Sequence, residues 1–272
     1  MSRVADRTVS VAVEGGEIEV FIVEPVAETR LTLLCLHGWT LNAAAFGAQR
    51  PLAEMGVAIA TFNRRGFGSS RLLPNFATEL TDLSAIIASI DTPIVLYGVS
   101  QGARLALRHV VSDGSPVVGL IVQGGHIDGL QVEEAPGEGI PFESYRKWLL
   151  EGDLDRFRKH WLQHPLVFRG CEDVVPSQLA DLISRYRGTD LLTEGALPTP
   201  LDIRTQLAAL TLPRLVLSGS KEVASRRRHA AALTAMQNTQ AAVIEGGGHL
   251  CNISHGGAVN SAISAWLLSV FD

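Results

Sequence analysis

Six stretches of this chain are apolar without alternation: LTLLCLHG at 31–38, GVAIATFN at 56–63, PIVLYG at 93–98, PVVGLIVQGG at 116–125, PRLVLSG at 213–219 and TQAAVIEGG at 239–247. A strand with one wet face alternates apolar and polar residues. A run without alternation fits a strand covered on both faces, as in a mostly parallel sheet flanked by helices. Helix-like stretches separate these runs at 43–55, 77–90, 101–112 and 225–237, and another closes the chain at 256–271. The opening segment RTVSVAVEGGEIEVFIVE (7–24) alternates on both sides of Gly15-Gly16, which predicts a half-exposed antiparallel hairpin. Strands alternating with helices after a hairpin predict an α/β fold with a doubly wound, mostly parallel sheet.

One stretch interrupts the alternation. Residues 127–205 open with the acidic, glycine-containing DGLQVEEAPGEGIP and continue with helical patterns such as FESYRKWLLEGDLDRFRKHWLQH and PSQLADLISRYR. This predicts a helical cap inserted after the sixth strand, over the carboxyl ends of the strands, where such sheets bind ligands. The expected organisation is a core of 1–126 and 206–272 with a cap of 127–205.

Composition narrows the function classes. With 272 residues and a net charge of −5, and no basic stripe interleaved with aromatics, the chain gives no sign of a nucleic-acid partner. Its densest basic run, SRRRHAA at 225–231, reads as a solvated helix face. Cys35, Cys171 and Cys251 are odd in number and in no metal-ligand spacing, so reduced thiols in a cytoplasmic protein are expected. The first residues lack the apolar core of a signal peptide, and no apolar run approaches the roughly 18 residues of a membrane span. A soluble protein acting on a small molecule, without membrane, metal or cofactor, is expected. Nothing in the sequence speaks to its oligomeric state.

The chemistry concentrates at Gly98-Val99-Ser100-Gln101-Gly102. The segment joins a buried-strand pattern to a helical one, the context in which Gly-x-Ser-x-Gly forms a tight turn that lifts the serine oxygen above the sheet. A serine hydroxyl needs a base. Among eight histidines, His249 in VIEGGGHLCNISH lies in a glycine-rich loop between the last strand and the last helix, with His126 as its competitor. The base needs a carboxylate to hold its tautomer. Glu222, in LVLSGSKEV, completes the chain order Ser, acid, His; Asp128 in QGGHIDG is the alternative acid. Oxyanion donors are expected from the backbone N–H of Gln101 and of Trp39, in CLHGWTLNAAAF. Trp148, Phe157, Trp161 and Phe168 in the insertion suit either core or a pocket wall. Arg185 and Arg187 suit either a helix end or a carboxylate receptor.

In this order the motifs LHGW (36–39), NRRGFGSS (63–70), GVSQG (98–102), SGSKE (218–222) and GGGHLCNISHGGAVNSAI (246–263) resemble the α/β-hydrolase fold superfamily. HLCNIS resembles the histidine loop of 3-oxoadipate enol-lactonase-type members. The resemblance covers nearly the whole chain and implies a serine hydrolase of small esters or lactones. Ser100 would be the nucleophile, His249 the base, Glu222 the acid, and Trp39 and Gln101 the oxyanion donors. It equally accommodates a carbon–carbon bond hydrolase of ring-fission diketones, or a ligand receptor on the same fold. Two positions depart from the usual pattern: Asn63 and Glu222 stand where the family mostly carries aspartate. A serine nucleophile sets the chain apart from the epoxide hydrolases and haloalkane dehalogenases of the fold, which use aspartate.

Overall fold

A computed structural model describes residues 4–25, 28–112, 116–172 and 176–271. The ends of the expected core, residues 1–3 and 272, lie outside them. Eight strands form one sheet: β1 (Val4–Val13), β2 (Gly16–Pro25), β3 (Leu31–Leu36), β4 (Val57–Phe62), β5 (Ile94–Val99), β6 (Val117–Gln123), β7 (Arg214–Gly219) and β8 (Thr239–Ile244). Their order is β1-β2-β4-β3-β5-β6-β7-β8. β1 and β2 pair antiparallel as a hairpin, and β2 joins β4 antiparallel; all pairs from β4 to β8 are parallel.

The continuous apolar runs follow from this order. Every residue of β3 and β5 is buried, because these strands sit mid-sheet with both faces covered. Leu33 and Cys35 face one apolar cluster, and Leu34 and Leu36 face the other. Burying a side chain of this size contributes roughly 1.5–3 kcal/mol. One face is covered by residues 43–55 and by α11 (Gly256–Phe271), through Phe46, Val259, Ile263 and Trp266. The other is covered by α1 (Phe76–Ala88) and α2 (Gln101–Ser112), with Leu83, Ile86, Leu105 and Ala106. Asn75 starts α1 by accepting from Thr78 N at 3.1 Å.

Two elements depart from the sequence expectation. Residues 43–55 form a 3-10 helix rather than an α-helix, with Pro51 inside it, where it removes a donor. β8 is an edge strand: only Ile244 is buried and Val243 is 68% exposed, because β8 has a partner on one side only.

Between β6 and β7 the described residues contain helices and no strand. They are α3 (Phe142–Leu150), α4 (Leu154–Leu162), α5 (Pro165–Phe168), α6 (Pro176–Ser184), α7 (Thr189–Leu192) and α8 (Arg204–Ala209). Phe157 and Trp161 of α4 are buried and share the apolar cluster of Trp39. Phe168 is 49% exposed, and Trp148 packs on Tyr145 and His160 with Arg156 over its ring. α9 (Ala224–Thr234) follows β7, and α10 (Cys251–Ser254) precedes α11. No helix among the described residues is long and apolar enough to cross a membrane. The three cysteines are free and buried.

The backbone packs closely against the sheet core at Gly102. A Cβ there would stand 2.1 Å from the Leu36 carbonyl oxygen, which the parallel β3–β5 pairing holds in place. Gly102→Ala is therefore expected to destabilise the fold by about 3 kcal/mol. Gly257→Ala, which meets nothing within 4 Å in the first turn of α11, should be neutral or gain up to about 1 kcal/mol. Urea unfolding midpoints of the two variants check this.

Candidate active site

Ser100 sits at the junction of β5 and α2 in the left-handed region, φ 55°. Non-glycine residues rarely hold this conformation, which costs of order 1–3 kcal/mol unless the surroundings enforce it. Here Ser100 N donates to Gln123 O (2.8 Å) on β6, and Arg104 N donates to Ser100 O (3.0 Å). The flanking glycines permit the turn: a Cβ at Gly98 would lie 2.4 Å from Ala103 Cα, and Gly102 presses on β3 as above. Gly38 gives Ser100 room on its other side, where a Cβ would meet the Ser100 Cβ at 3.2 Å.

His249 lies in the loop between β8 and α10 and is buried. Its Nδ1 hydrogen-bonds Glu222 Oε2 at 2.8 Å. Its Nε2 is buried without a protein partner. Glu222 follows β7, is 2% exposed, and its Oε1 accepts from Val223 N at 2.8 Å. Asp128, the alternative acid, is occupied otherwise: its two oxygens pair with Arg104 and Arg108. His126 hydrogen-bonds Arg226 at 3.1 Å and packs on the His229 ring, with centroids 4.5 Å apart. Glycine 124 is a site residue the sequence reading passed over. A Cβ there would stand 2.3 Å from His249 Cε1, so the position at the end of β6 admits the imidazole only as glycine, at φ 60°.

Gln101 N opens α2 and has no intrahelical carbonyl to bond. Trp39 lies in the loop after β3, where Leu41 N rather than Trp39 N closes the turn onto Gly38 O. The next residue, Thr40, is also left-handed, φ 65°. The insertion grips this loop: Trp39 Nε1 donates to Asp190 Oδ2 (2.6 Å), Trp161 Nε1 donates to Thr40 Oγ1 (2.8 Å), and the Trp39 and Trp161 rings pack edge to face. Tyr186 OH donates to the other Asp190 oxygen at 2.6 Å. Burial pushes the Asp190 carboxyl above its usual range, against the pull of these two donors.

Arg64, 1% exposed, ties the pieces together from below. It donates to Glu79 (2.7 Å) on α1, to His37 O (3.1 Å) and to the Gln101 side chain (2.9 Å). Its only sequence signal was its place in NRRGFGSS. Asn63, in the usual aspartate position, accepts from Ala43 N (2.9 Å) and donates to Ser69 Oγ (2.9 Å). Aspartate would keep the first bond and reverse the second, with the Ser69 hydroxyl donating to the carboxylate.

Ser100 opens onto a cleft of about 400 Å³ walled by Trp39, Ile140 and Phe142, with Arg104, His126 and Arg226 at its polar end. A second cavity of about 30 Å³, walled by Leu41, Trp161, Leu166 and Val167, lies beside Ser100 and His249. Arg226 and the buried His229 belong to the basic run, which is thus not a simple solvated face. Arg187 donates to the carbonyls of Gly66, Gly68 and Ser70, and Arg185 pairs with Asp181 at the surface, so neither reaches this cleft. Among the described residues no cluster of ligating side chains could hold a metal ion.

A family model described as alpha/beta hydrolase family matches residues 33–262. A 2-succinyl-6-hydroxy-2,4-cyclohexadiene-1-carboxylate synthase of Escherichia coli is 28% identical over 236 residues, 80% of this chain and 86% of that protein. Among solved structures, a thermophilic esterase from Thermogutta terrifontis superposes with TM-score 0.79 at 22% identity, covering 98% of this chain and 100% of that one. A bromoperoxidase from Bacillus anthracis superposes with TM-score 0.78 at 21% identity, covering 96% and 100%.

Two buried histidines around the site are held neutral. His37 Nε2 accepts from Arg64 N (3.1 Å) and its Nδ1 therefore donates to Gly38 O (2.9 Å); burial and then the Arg64 charge push its pKa from 6.5 down to about 3. Burial and then the neighbouring His126 bring His229 down to about 3 as well. Both groups bind a proton more readily unfolded than folded. Their neutrality costs nothing above pH 6.5, and stability drains as pH falls from 6.5 towards 3. His229→Gln should flatten the fall of the unfolding free energy across this window by about one proton, roughly 1.4 kcal/mol per pH unit. Urea titrations at a series of pH values would show it.

Proposed function

Because the chain belongs to the alpha/beta hydrolase family, we propose that it hydrolyses a small carboxylic ester or lactone through an acyl-enzyme on Ser100. One observation carries this reading: a serine forced into a left-handed strand-to-helix turn shares a small cavity with a buried imidazole. That imidazole has Nδ1 held by Glu222 and Nε2 left free of protein partners.

Ser100 Oγ attacks the substrate carbonyl while His249 Nε2 takes the hydroxyl proton. Nδ1–H of His249 stays bonded to Glu222, which stabilises the imidazolium. The tetrahedral oxyanion takes hydrogen bonds from the N–H groups of Gln101 and Trp39, each such donor being worth roughly 10²–10³ in turnover. His249 returns the proton to the leaving alcohol. A water, deprotonated in turn by His249, then attacks the acyl-enzyme and releases the acid and the Ser100 hydroxyl. The inserted helices act as the cap that closes the cleft.

A second reading, non-ester chemistry by the same three residues, is favoured by the Escherichia coli relative being named a synthase rather than an esterase. A panel of p-nitrophenyl esters and simple lactones separates the two. Under the hydrolase reading, Ser100→Ala lowers kcat by at least about 10⁴-fold and Glu222→Gln by roughly 10²–10⁴-fold, whereas Asp128→Asn acts on stability far more than on turnover. A folded wild type inert across the panel would move the second reading ahead.

A further inference from the structure

Two guanidiniums face the Ser100 cleft, and among the described residues only Arg104 has a carboxylate within ion-pair distance. Arg104 stands one helical turn after the nucleophile, on α2. Its partner Asp128 is shared with Arg108, so two cations answer to one buried carboxylate. Arg226 comes from α9, across the cleft. Among the described residues its side-chain hydrogen bond is to the imidazole of His126, and no carboxylate lies within ion-pair distance of it. The Nε atoms of both Arg104 and Arg226 are buried without a partner. The carboxylates that act on Arg226 from farther away are Glu222, which is bonded to His249, and Glu134, an exposed rim residue. A guanidinium taken out of water with no carboxylate in contact is destabilised until an anion pairs with it. A planar guanidinium with free donors answers best to a carboxylate, which it binds through two parallel hydrogen bonds. Apart from Thr40 and the Ser100 and His249 side chains, the 30 Å³ cavity beside Ser100 has apolar walls, with room for a group the size of a methyl or acetyl.

We propose that the polar end of the cleft is a carboxylate-receiving subsite anchored by Arg226 and Arg104, so that the substrates turned over at Ser100 are small esters with a free carboxylate at one end and a one- or two-carbon group at the other. This rests on the hydrolase reading and narrows it to an anionic substrate class.

The test compares each carboxylate ester with its neutral methyl ester, and places the carboxylate on either side of the scissile bond. Monomethyl glutarate is set against dimethyl glutarate, and 3-acetoxybenzoate against methyl 3-acetoxybenzoate, with hydrolysis followed by pH-stat. In at least one pair the wild type should prefer the carboxylate by about tenfold or more in kcat/KM, as one charge-assisted contact implies. Arg226→Met should bring that ratio close to one, and Arg226→Lys should keep part of it. Independently of turnover, Ser100→Ala protein should bind glutarate in calorimetry, and adding Arg226→Met should weaken that binding about tenfold or more. Equal or reversed preference in the wild type, together with glutarate binding indifferent to Arg226, overturns the subsite and leaves the hydrolase reading intact. Absence of ester turnover with Arg226-dependent glutarate binding does the reverse. Should Arg226→Met fail to fold, the wild-type ratio and Arg226→Lys still decide, since a subsite needs both the preference and its sensitivity to that side chain.

Discussion

The turn at Ser100 is the constraint on which the rest of the site depends. Left alone, a serine at φ 55° would relax. It is held because β5 and α2 leave no alternative path: Gly98 lies against Ala103, Gly102 lies against the Leu36 carbonyl, and the Ser100 N–H is tied to β6. The same geometry aims the first N–H groups of α2 at the space in front of the serine. It also brings β3, and with it the loop carrying Trp39, within contact of the turn through Gly38. Strain at one residue therefore sets the positions of the serine and both proposed oxyanion donors together, and parallel pairing of fully buried strands supplies the stiffness that sustains it.

Sheet stiffness fixes these loops from below; the inserted helices fix them from above. Trp39 reaches Asp190, Thr40 receives Trp161, and a Cβ at Gly248 would overlap the Arg169 carbonyl, so the histidine loop lies directly against the end of α5. Tyr145, Phe157 and Trp161 belong to the apolar cluster that also contains Leu33, Tyr97 and Trp39. The packing that seats the insertion is thus the packing that seats the oxyanion loop. Opening this contact costs order at Trp39 as well as exposing the cleft.

Features that repeat along the chain or obey local sterics were legible in the sequence. The both-face burial of β3 and β5 showed as runs without alternation, and the elbow showed because Gly98, Ser100 and Gly102 form one short pattern between a strand and a helix. Glu222 and His249 were readable as loop residues after strands, and the structure joins them by a hydrogen bond. What was not legible depends on which elements meet in space. Arg64 links three segments through its side chain, yet in sequence it is one arginine in a turn. Gly124 is needed because the His249 ring passes over it, 125 positions later in the chain. β8 has the composition of an inner strand, and only the absence of a ninth strand beside it among the described residues makes it an edge. The basic run at 225–231 looked like a surface because charge count carries no direction; α9 turns Arg226 and His229 inward and Arg227 and Arg228 outward.

Neutral histidines explain how an acidic chain keeps a cationic cleft. An arginine needs acceptors, and a carboxylate would supply them while cancelling its charge. A neutral imidazole supplies an acceptor and leaves the charge in place. His126 does this for Arg226, kept neutral by burial and then by the arginine's own field, which bring its pKa from 6.5 to about 4. His37 serves the Arg64 backbone in the same way, while the Arg64 charge is met by Glu79. The contrast separates two tasks. Arg64 is a structural tie, and its charge is offset inside the protein. Arg226 is held by an uncharged partner beside the nucleophile and keeps an unpartnered Nε, so it can still pair with an anion that enters the cleft. A carboxylate in place of His126 would face Asp128 and cancel the Arg226 charge, whereas the imidazole preserves an anion-receiving surface within a protein of net charge −5.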